Sequence, residues 1–203
     1  CDFKGIKVAI DCANGSASRV APKLFEGLGA SCVFIHNQPD GTNINENCGS
    51  THIEDLQRTV VEKKCDLGLA FDGDADRCLA VDENGQLIDG DKLLAIFSKF
   101  MKVQGKLKSN TCVVTVMSNL GFFKFAEGEG INATTTAVGD RYVLERMLQF
   151  DYNLGGEQSG HIIFLDEANT GDGELTGVKL LEVIKKTKKK ASELASCMDC
   201  YPQ

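Results

Sequence analysis

Two α/β domains in succession are what this sequence predicts, on three observations. Apolar stretches rich in β-branched residues alternate with segments of helical period, the pattern of layered α/β architecture. The 203 residues, 42% hydrophobic and 25% charged, can bury one large core or two small ones. The polar stretch Lys102–Asn110, which contains Gly105, falls midway and divides residues 1–103 from 104–203.

Each element has its own reason. Ile6–Ile10 reads as the first strand, ended by Asp11–Ser16. A helix follows from about Ser18 to Leu28, with Pro22 expected in its first turn, where a missing N–H costs nothing. Gly29 stops it, and Ser31–His36 is the second strand. The polar loop Asn37–Ser50, with Pro39-Asp40-Gly41 as turn chemistry, is long for a connector. Thr51-His52-Ile53-Glu54 has capping-box spacing, and Ile53, Leu56, Val60 and Val61 make an apolar stripe on the helix it would start. Leu67–Phe71 and Cys78–Asp82 read as buried strands, and Asn84-Gly85 turns the latter into a hairpin with Gln86–Asp89. Asp91 is the expected cap of a helix running to about Val103.

The second unit would begin at Thr111. Its expected parts are a strand at Cys112–Met117, a helix from about Leu120, a strand near Ala133–Thr136 and a helix from about Arg141 to Phe150. A hairpin-like pair over Gly155–Asp166 and a helix from about Gly173 to Lys186 complete it. The lysines of 185–190 read as a solvated helix end whose charge suits the C-terminal dipole.

A net charge of −7 argues against a nucleic-acid partner, which needs clustered Lys and Arg. No apolar run approaches the roughly 18 residues of a membrane span, and no signal-peptide pattern opens the chain, so a cytoplasmic location is expected. The nine cysteines show no zinc-type spacing beyond Cys197-Met-Asp-Cys200, and Cys12, Cys32, Cys78 and Cys112 lie in apolar runs where a thiol packs as a small hydrophobe.

The sharpest motif is Asp72-Gly73-Asp74-Ala75-Asp76-Arg77 between two apolar strands. A Gly-containing loop can curl three carboxylates toward one point, where their mutual repulsion is relieved by a divalent cation; oxygen-only ligands suit Mg²⁺. An EF-hand is a poor alternative, because Arg77 stands where its sharp turn needs Gly and strands flank the loop. A phosphatase of the haloacid-dehalogenase type would expect Thr or Val at Asp76, and a merely solvated acidic turn would be costly directly after a buried strand.

Gly155-Gly156-Glu157-Gln158-Ser159-Gly160-His161 is a second candidate, in which Glu157 and Ser159, as alternate residues, would point the same way and hydrogen-bond vicinal sugar hydroxyls. Gly139-Asp140-Arg141 opens a helix after a strand, an anion-friendly start to which Arg141 adds a fork for phosphate, although taken alone it is better explained as plain helix initiation capped by Asp140.

Taken together and in order, these segments resemble the α-D-phosphohexomutase superfamily. Gly41–Asn45 with Asn47–Thr51, Val116–Gly121, Gly139–Arg141 and Thr170–Gly173 are similar to its phosphoglucosamine mutase family, and the likeness runs to Tyr201-Pro202-Gln203. The resemblance implies three-layer domains, each a mixed β-sheet flanked by helices, equivalent to the second and third of four. It implies Mg²⁺ held by Asp72, Asp74 and Asp76, with Arg77 orienting the transferred phosphoryl group. Glu157 and Ser159 would grip sugar hydroxyls, with His161, Gly139, Asp140 and Arg141 lining the cleft for glucosamine phosphates. No Thr-Ala-Ser-His-Asn-Pro-type phosphoserine segment and no Arg-x-Ser-Gly-Thr-Glu-type loop is found. The expected partners are therefore the enzyme's N- and C-terminal domains, without which no turnover is expected.

Overall fold

The computed structural model describes residues 2–202. Strands β1 (Lys7–Asp11), β2 (Ser31–Ile35), β3 (Leu67–Phe71), β4 (Cys78–Asp82) and β5 (Leu87–Ile88) form one sheet in the order β2-β1-β3-β4-β5. β1 runs parallel to β2 and β3, and β4 is antiparallel to β3 and β5. Strands β6 (Thr111–Thr115), β7 (Asn132–Thr136), β8 (Leu154–Gly156) and β9 (Ile162–Phe164) form the second sheet in the order β7-β6-β8-β9, with β9 antiparallel to β8. The same winding is thus used twice: a central first strand, parallel neighbours on both sides, then an antiparallel strand. In each sheet the connections diverge at the carboxyl ends of two neighbouring strands, β1 and β3 or β6 and β8, which is where α/β sheets open a crevice.

Helices α1 (Ala17–Gly27), α2 (Glu54–Lys63), α3 (Gly90–Val103), α4 (Leu120–Glu129), α5 (Asp140–Phe150), α6 (Gly173–Thr187) and α7 (Ala191–Ala195) complete the chain. α2 covers the outer face of the first sheet through Leu56 and Val60, and α5 that of the second through Val143 and Met147. α3 and α6 belong to one continuous core that includes Ile10, Leu69 and Phe71 of the first sheet and Cys112, Val114 and Phe164 of the second. Phe97 of α3 sets its ring edge-on to Phe164 at 5.0 Å, so the expected mixed three-layer domains are present and share the helical layer that lies between the two sheets.

Five local expectations are corrected. Pro22 stands in the second turn of α1, not the first; having no N–H for the Ser18 carbonyl, it is carried by a helix whose Ala17, Ala21 and Phe25 are buried. Thr51 is not an N-cap, because a 3₁₀ turn over Gly49–Thr51 intervenes and the Thr51 hydroxyl meets His52 Nδ1 at 3.2 Å. Along the stripe it was to begin, Val61 is exposed while Leu56 and Val60 are buried. Asp89, not Asp91, caps α3 by accepting from the Lys92 N–H, while the fully buried Asp91 accepts from the Asn119 N–H at 2.7 Å. β6 ends two residues early, at Thr115, leaving Val116 and Met117 exposed. Among the described residues no helix is long and apolar enough to cross a membrane.

Candidate functional site

The Asp72–Arg77 loop leaves the carboxyl end of β3, beside that of β1. The Ala75 N–H donates to the Asp72 carbonyl at 3.1 Å and Ala75 takes the left-handed backbone (φ 61°), so the loop closes on itself. In consequence Asp72, Asp74 and Asp76 present carboxylate oxygens that all lie within 4.8 Å of one another. The segment after β1 buttresses this loop: the Ser16 N–H donates to the Gly73 carbonyl at 2.9 Å, and a Cβ on Gly15 would collide with that oxygen.

The electrostatics carry the mark of like charges brought together. Burial, and then a carboxyl–carboxyl hydrogen bond with Asp76 and the nearby charges of Asp76 and Asp74, push the Asp72 carboxyl up to about 6 against the pull of the Arg77 N–H. Burial would raise Asp76 as well. The hydrogen bonds from Asp72 and His161 and the charge of Arg77 outweigh it, and Asp76 lies below the usual carboxylate range.

His161 is the hinge between the two motifs. It is 3% exposed, with Nδ1 3.0 Å from Asp76 Oδ2 and Nε2 accepting from the Gly171 N–H at 3.2 Å, which puts the ring proton on Nδ1 facing Asp76. The backbone follows the same path. Arg77 and His161 form an antiparallel bridge, Cys78 donates to the Gly160 carbonyl at 3.1 Å, and Gly173 donates to the Ala75 carbonyl at 2.9 Å. Gly160 has φ +95° and passes so close that a Cβ would lie 2.5 Å from the Cys78 carbonyl oxygen.

Glu157 and Ser159 lie past the end of β8, where the flanking glycines let the backbone turn sharply. They sit in the turn between β8 and β9, closed by the Gly160 N–H on the Glu157 carbonyl at 3.0 Å, with Ser159 exposed and Glu157 half-buried. Glu157 reaches across to accept the Gly139 N–H at 2.9 Å, which joins the second and third motifs. Gly139, not Asp140, is the residue before α5, and the exposed Asp140 accepts only from the Arg141 N–H next to it. Arg141, its side chain 81% exposed, pairs with Glu145 one turn along.

The structure therefore gathers Asp72, Asp74, Asp76, Arg77 and His161 into one group, and Gly139 and Glu157 into another, while Asp140, Arg141 and Ser159 stand at the surface. Sequence reasoning had given Gly171 and Gly173 no physical task; both anchor the acidic loop through backbone N–H groups. Apart from the family likeness of Thr170–Gly173, their signal was the run Gly171-Asp172-Gly173 before a helix.

Residues 2–85 match the family model described as phosphoglucomutase/phosphomannomutase, α/β/α domain II, and residues 89–201 match domain III. These models meet ahead of α3, whereas the division expected from composition lies after it; α3 itself touches both sheets. The chain is similar to phosphoglucosamine mutase of Acetivibrio thermocellus, 62% identical over 202 residues, which is 100% of this chain and 45% of the relative. A phosphoglucomutase/phosphomannomutase family protein from Burkholderia thailandensis superposes with a TM-score of 0.85 at 25% identity, over 96% of this chain and 43% of the other. Aspergillus fumigatus N-acetylphosphoglucosamine mutase, solved in complex with GlcNAc-6P and magnesium, shares the fold with a TM-score of 0.81 at 19% identity, over 98% of this chain and 47% of the other. The chain thus spans about half the length of the curated relatives it matches.

Proposed function

The chain belongs to the phosphoglucomutase/phosphomannomutase family, carrying its α/β/α domains II and III, and from that premise we propose that it supplies the cation-binding and sugar-gripping loops of a mutase interconverting glucosamine 6-phosphate and glucosamine 1-phosphate. The observation that carries this is the cluster of three carboxylates at a strand end, tied through Asp76 and His161 to the Glu157 turn. An all-oxygen donor set, with one carboxyl already driven toward protonation by burial and then by its neighbours, fits Mg²⁺. Bound there, the ion would neutralise charge on a phosphoryl group in transfer.

This chain's own residues divide the remaining work. Asp72, Asp74 and Asp76 hold the cation, and the Nδ1–H of His161 fixes the Asp76 carboxylate in place. Arg77 steadies the phosphoryl group, Glu157 and Ser159 take sugar hydroxyls, and the start of α5 at Gly139, Asp140 and Arg141 receives the anionic end of the substrate. The phosphoserine that exchanges phosphoryl groups through a bisphosphate, and the loop that holds the resting phosphate, come from flanking N- and C-terminal domains of a longer cytoplasmic polypeptide.

Two measurements test this. The 203-residue chain is expected to bind Mn²⁺, read by water-proton relaxation as a stand-in for Mg²⁺, yet to give no turnover of glucosamine 6-phosphate by ³¹P NMR. A four-domain polypeptide carrying this segment is expected to turn it over. Turnover by the chain alone would overturn the division of labour, and failure of the longer polypeptide with this sugar phosphate would overturn the substrate.

A pH dependence follows from Asp72. Its carboxyl is raised to about 6, so cation binding, which needs the ionised form, is full above that value and is lost as pH falls through it. Mn²⁺ affinity is expected to fall about tenfold per pH unit below the raised value. A flat profile from pH 7 to pH 5 would remove Asp72 from the ligand set.

A further inference from the structure

We infer that Asp11, His36 and Cys48 form a second cation site, separate from the three carboxylates and suited to Zn²⁺ or a similar borderline-soft divalent ion. The ends of β1 and β2 and the loop before Gly49 converge so that one ligand atom from each of the three residues lies within 4.8 Å of the others. A carboxylate, an imidazole and a thiol select zinc-class ions over Mg²⁺, which the oxygen cluster would take.

The supports for such a centre are already in place. Asp11 is fully buried and is held by the Ala13 N–H at 2.9 Å on Oδ1 and the Gly49 N–H at 3.0 Å on Oδ2, which also lies 2.9 Å from His36 Nδ1. Cys48 is fully buried. On the far side of the imidazole, Nε2 lies 3.4 Å from Asp55 Oδ2, the outer carboxylate that orients a metal-bound histidine. Asp55 is itself held by Arg58. The surroundings are anionic: Asp11, Glu46 and Asp55 all bear on the Cys48 thiol. Access is open, because the quarter-exposed side chain of His36 lines a surface groove with Asn14, Asn37 and Gln38.

Binding balances simply. The ion forms bonds to Sγ, Nδ1 and Asp11 Oδ2; the Cys48 S–H proton leaves to solvent, and the proton between Nδ1 and Oδ2 gives way to the ion, leaving the neutral imidazole protonated on Nε2, facing Asp55. The bound ion would staple the loops after β1 and β2 to Gly49, whose backbone packs on the Phe71 carbonyl just ahead of the acidic loop. The inference is independent of the mutase reading.

Co²⁺ is the probe. In the 203-residue chain carrying Asp74→Asn, which disables the oxygen cluster, one equivalent of Co²⁺ is expected to give the near-ultraviolet thiolate-to-metal band, displaced by Zn²⁺ and not by Mg²⁺. Cys48→Ser should abolish that band, and Asp55→Asn should weaken Co²⁺ binding about tenfold. Absence of the band, or its survival in Cys48→Ser, overturns the site. Zinc K-edge absorption on the unvaried chain covers the case of a variant that does not fold. One sulfur at about 2.3 Å with nitrogen and oxygen at about 2.0 Å supports the site, and zero sulfur, or two or more, overturns it.

Discussion

Asp74→Asn is expected to remove measurable Mn²⁺ or Mg²⁺ binding from this chain while leaving its fold intact. Of the three carboxylates, Asp74 is the one at the surface; Asp72 accepts the Arg77 N–H and Asp76 holds His161, so changing either would also loosen the loop. Exposed substitutions away from such contacts usually move stability by no more than about 0.5 kcal/mol. The change keeps the size of the side chain and removes one negative charge from a set of three, so an effect on cation binding can be read without an effect on folding. In a longer polypeptide containing this segment the turnover number should fall at least about 100-fold, the scale of losing one main electrostatic stabiliser of a developing charge. Calorimetric titration on the chain and ³¹P NMR on the longer protein check the two halves. Undiminished cation binding by the variant would place the centre elsewhere.

Phe97→Ala should cost about 3–5 kcal/mol, the range for deleting a buried phenylalanine ring. Phe97 is 1% exposed and wedges α3 between the sheets against Phe164. Because typical domains are stable by only about 5–15 kcal/mol, a loss of that size should shift the urea midpoint strongly, and should do so for both sheets together if the helical layer between them is shared. Fluorescent or NMR reporters placed in each half would show one transition moving. A loss under about 1 kcal/mol, or a transition in only one half, would show that α3 does not join them.

The strands were legible in the sequence because burial on both faces leaves unbroken apolar runs such as Leu67–Phe71 and Cys78–Asp82, whose ends the structure reproduces. Helix starts were less so. Thr51 and Asp91 have the right chemistry to cap, but a 3₁₀ turn and a buried hydrogen bond to Asn119 take them for other tasks, and such competition depends on tertiary contacts. α7, five residues long after a run of lysines, offers too little periodicity to be seen.

For the site, the acidic loop was readable because its three carboxylates are near neighbours in the chain. The partnership of Glu157 with Gly139 was not, since 18 residues and a helix separate them. The reading of the cysteines failed to connect Asp11, His36 and Cys48 for the same reason: their spacings of 25 and 12 residues follow no motif, and only the folding of β1 against β2 brings them together.

The repeated winding of the two sheets has a consequence for how such a catalyst is organised. Asp72 is the first residue beyond β3, and Glu157 is the first beyond β8, the strand of equivalent rank in the other half. On the proposed function, a hard-ion holder and a polyol clasp would stand at matching positions on two sheets of the same winding. In that reading the chemical labour divides between the two halves.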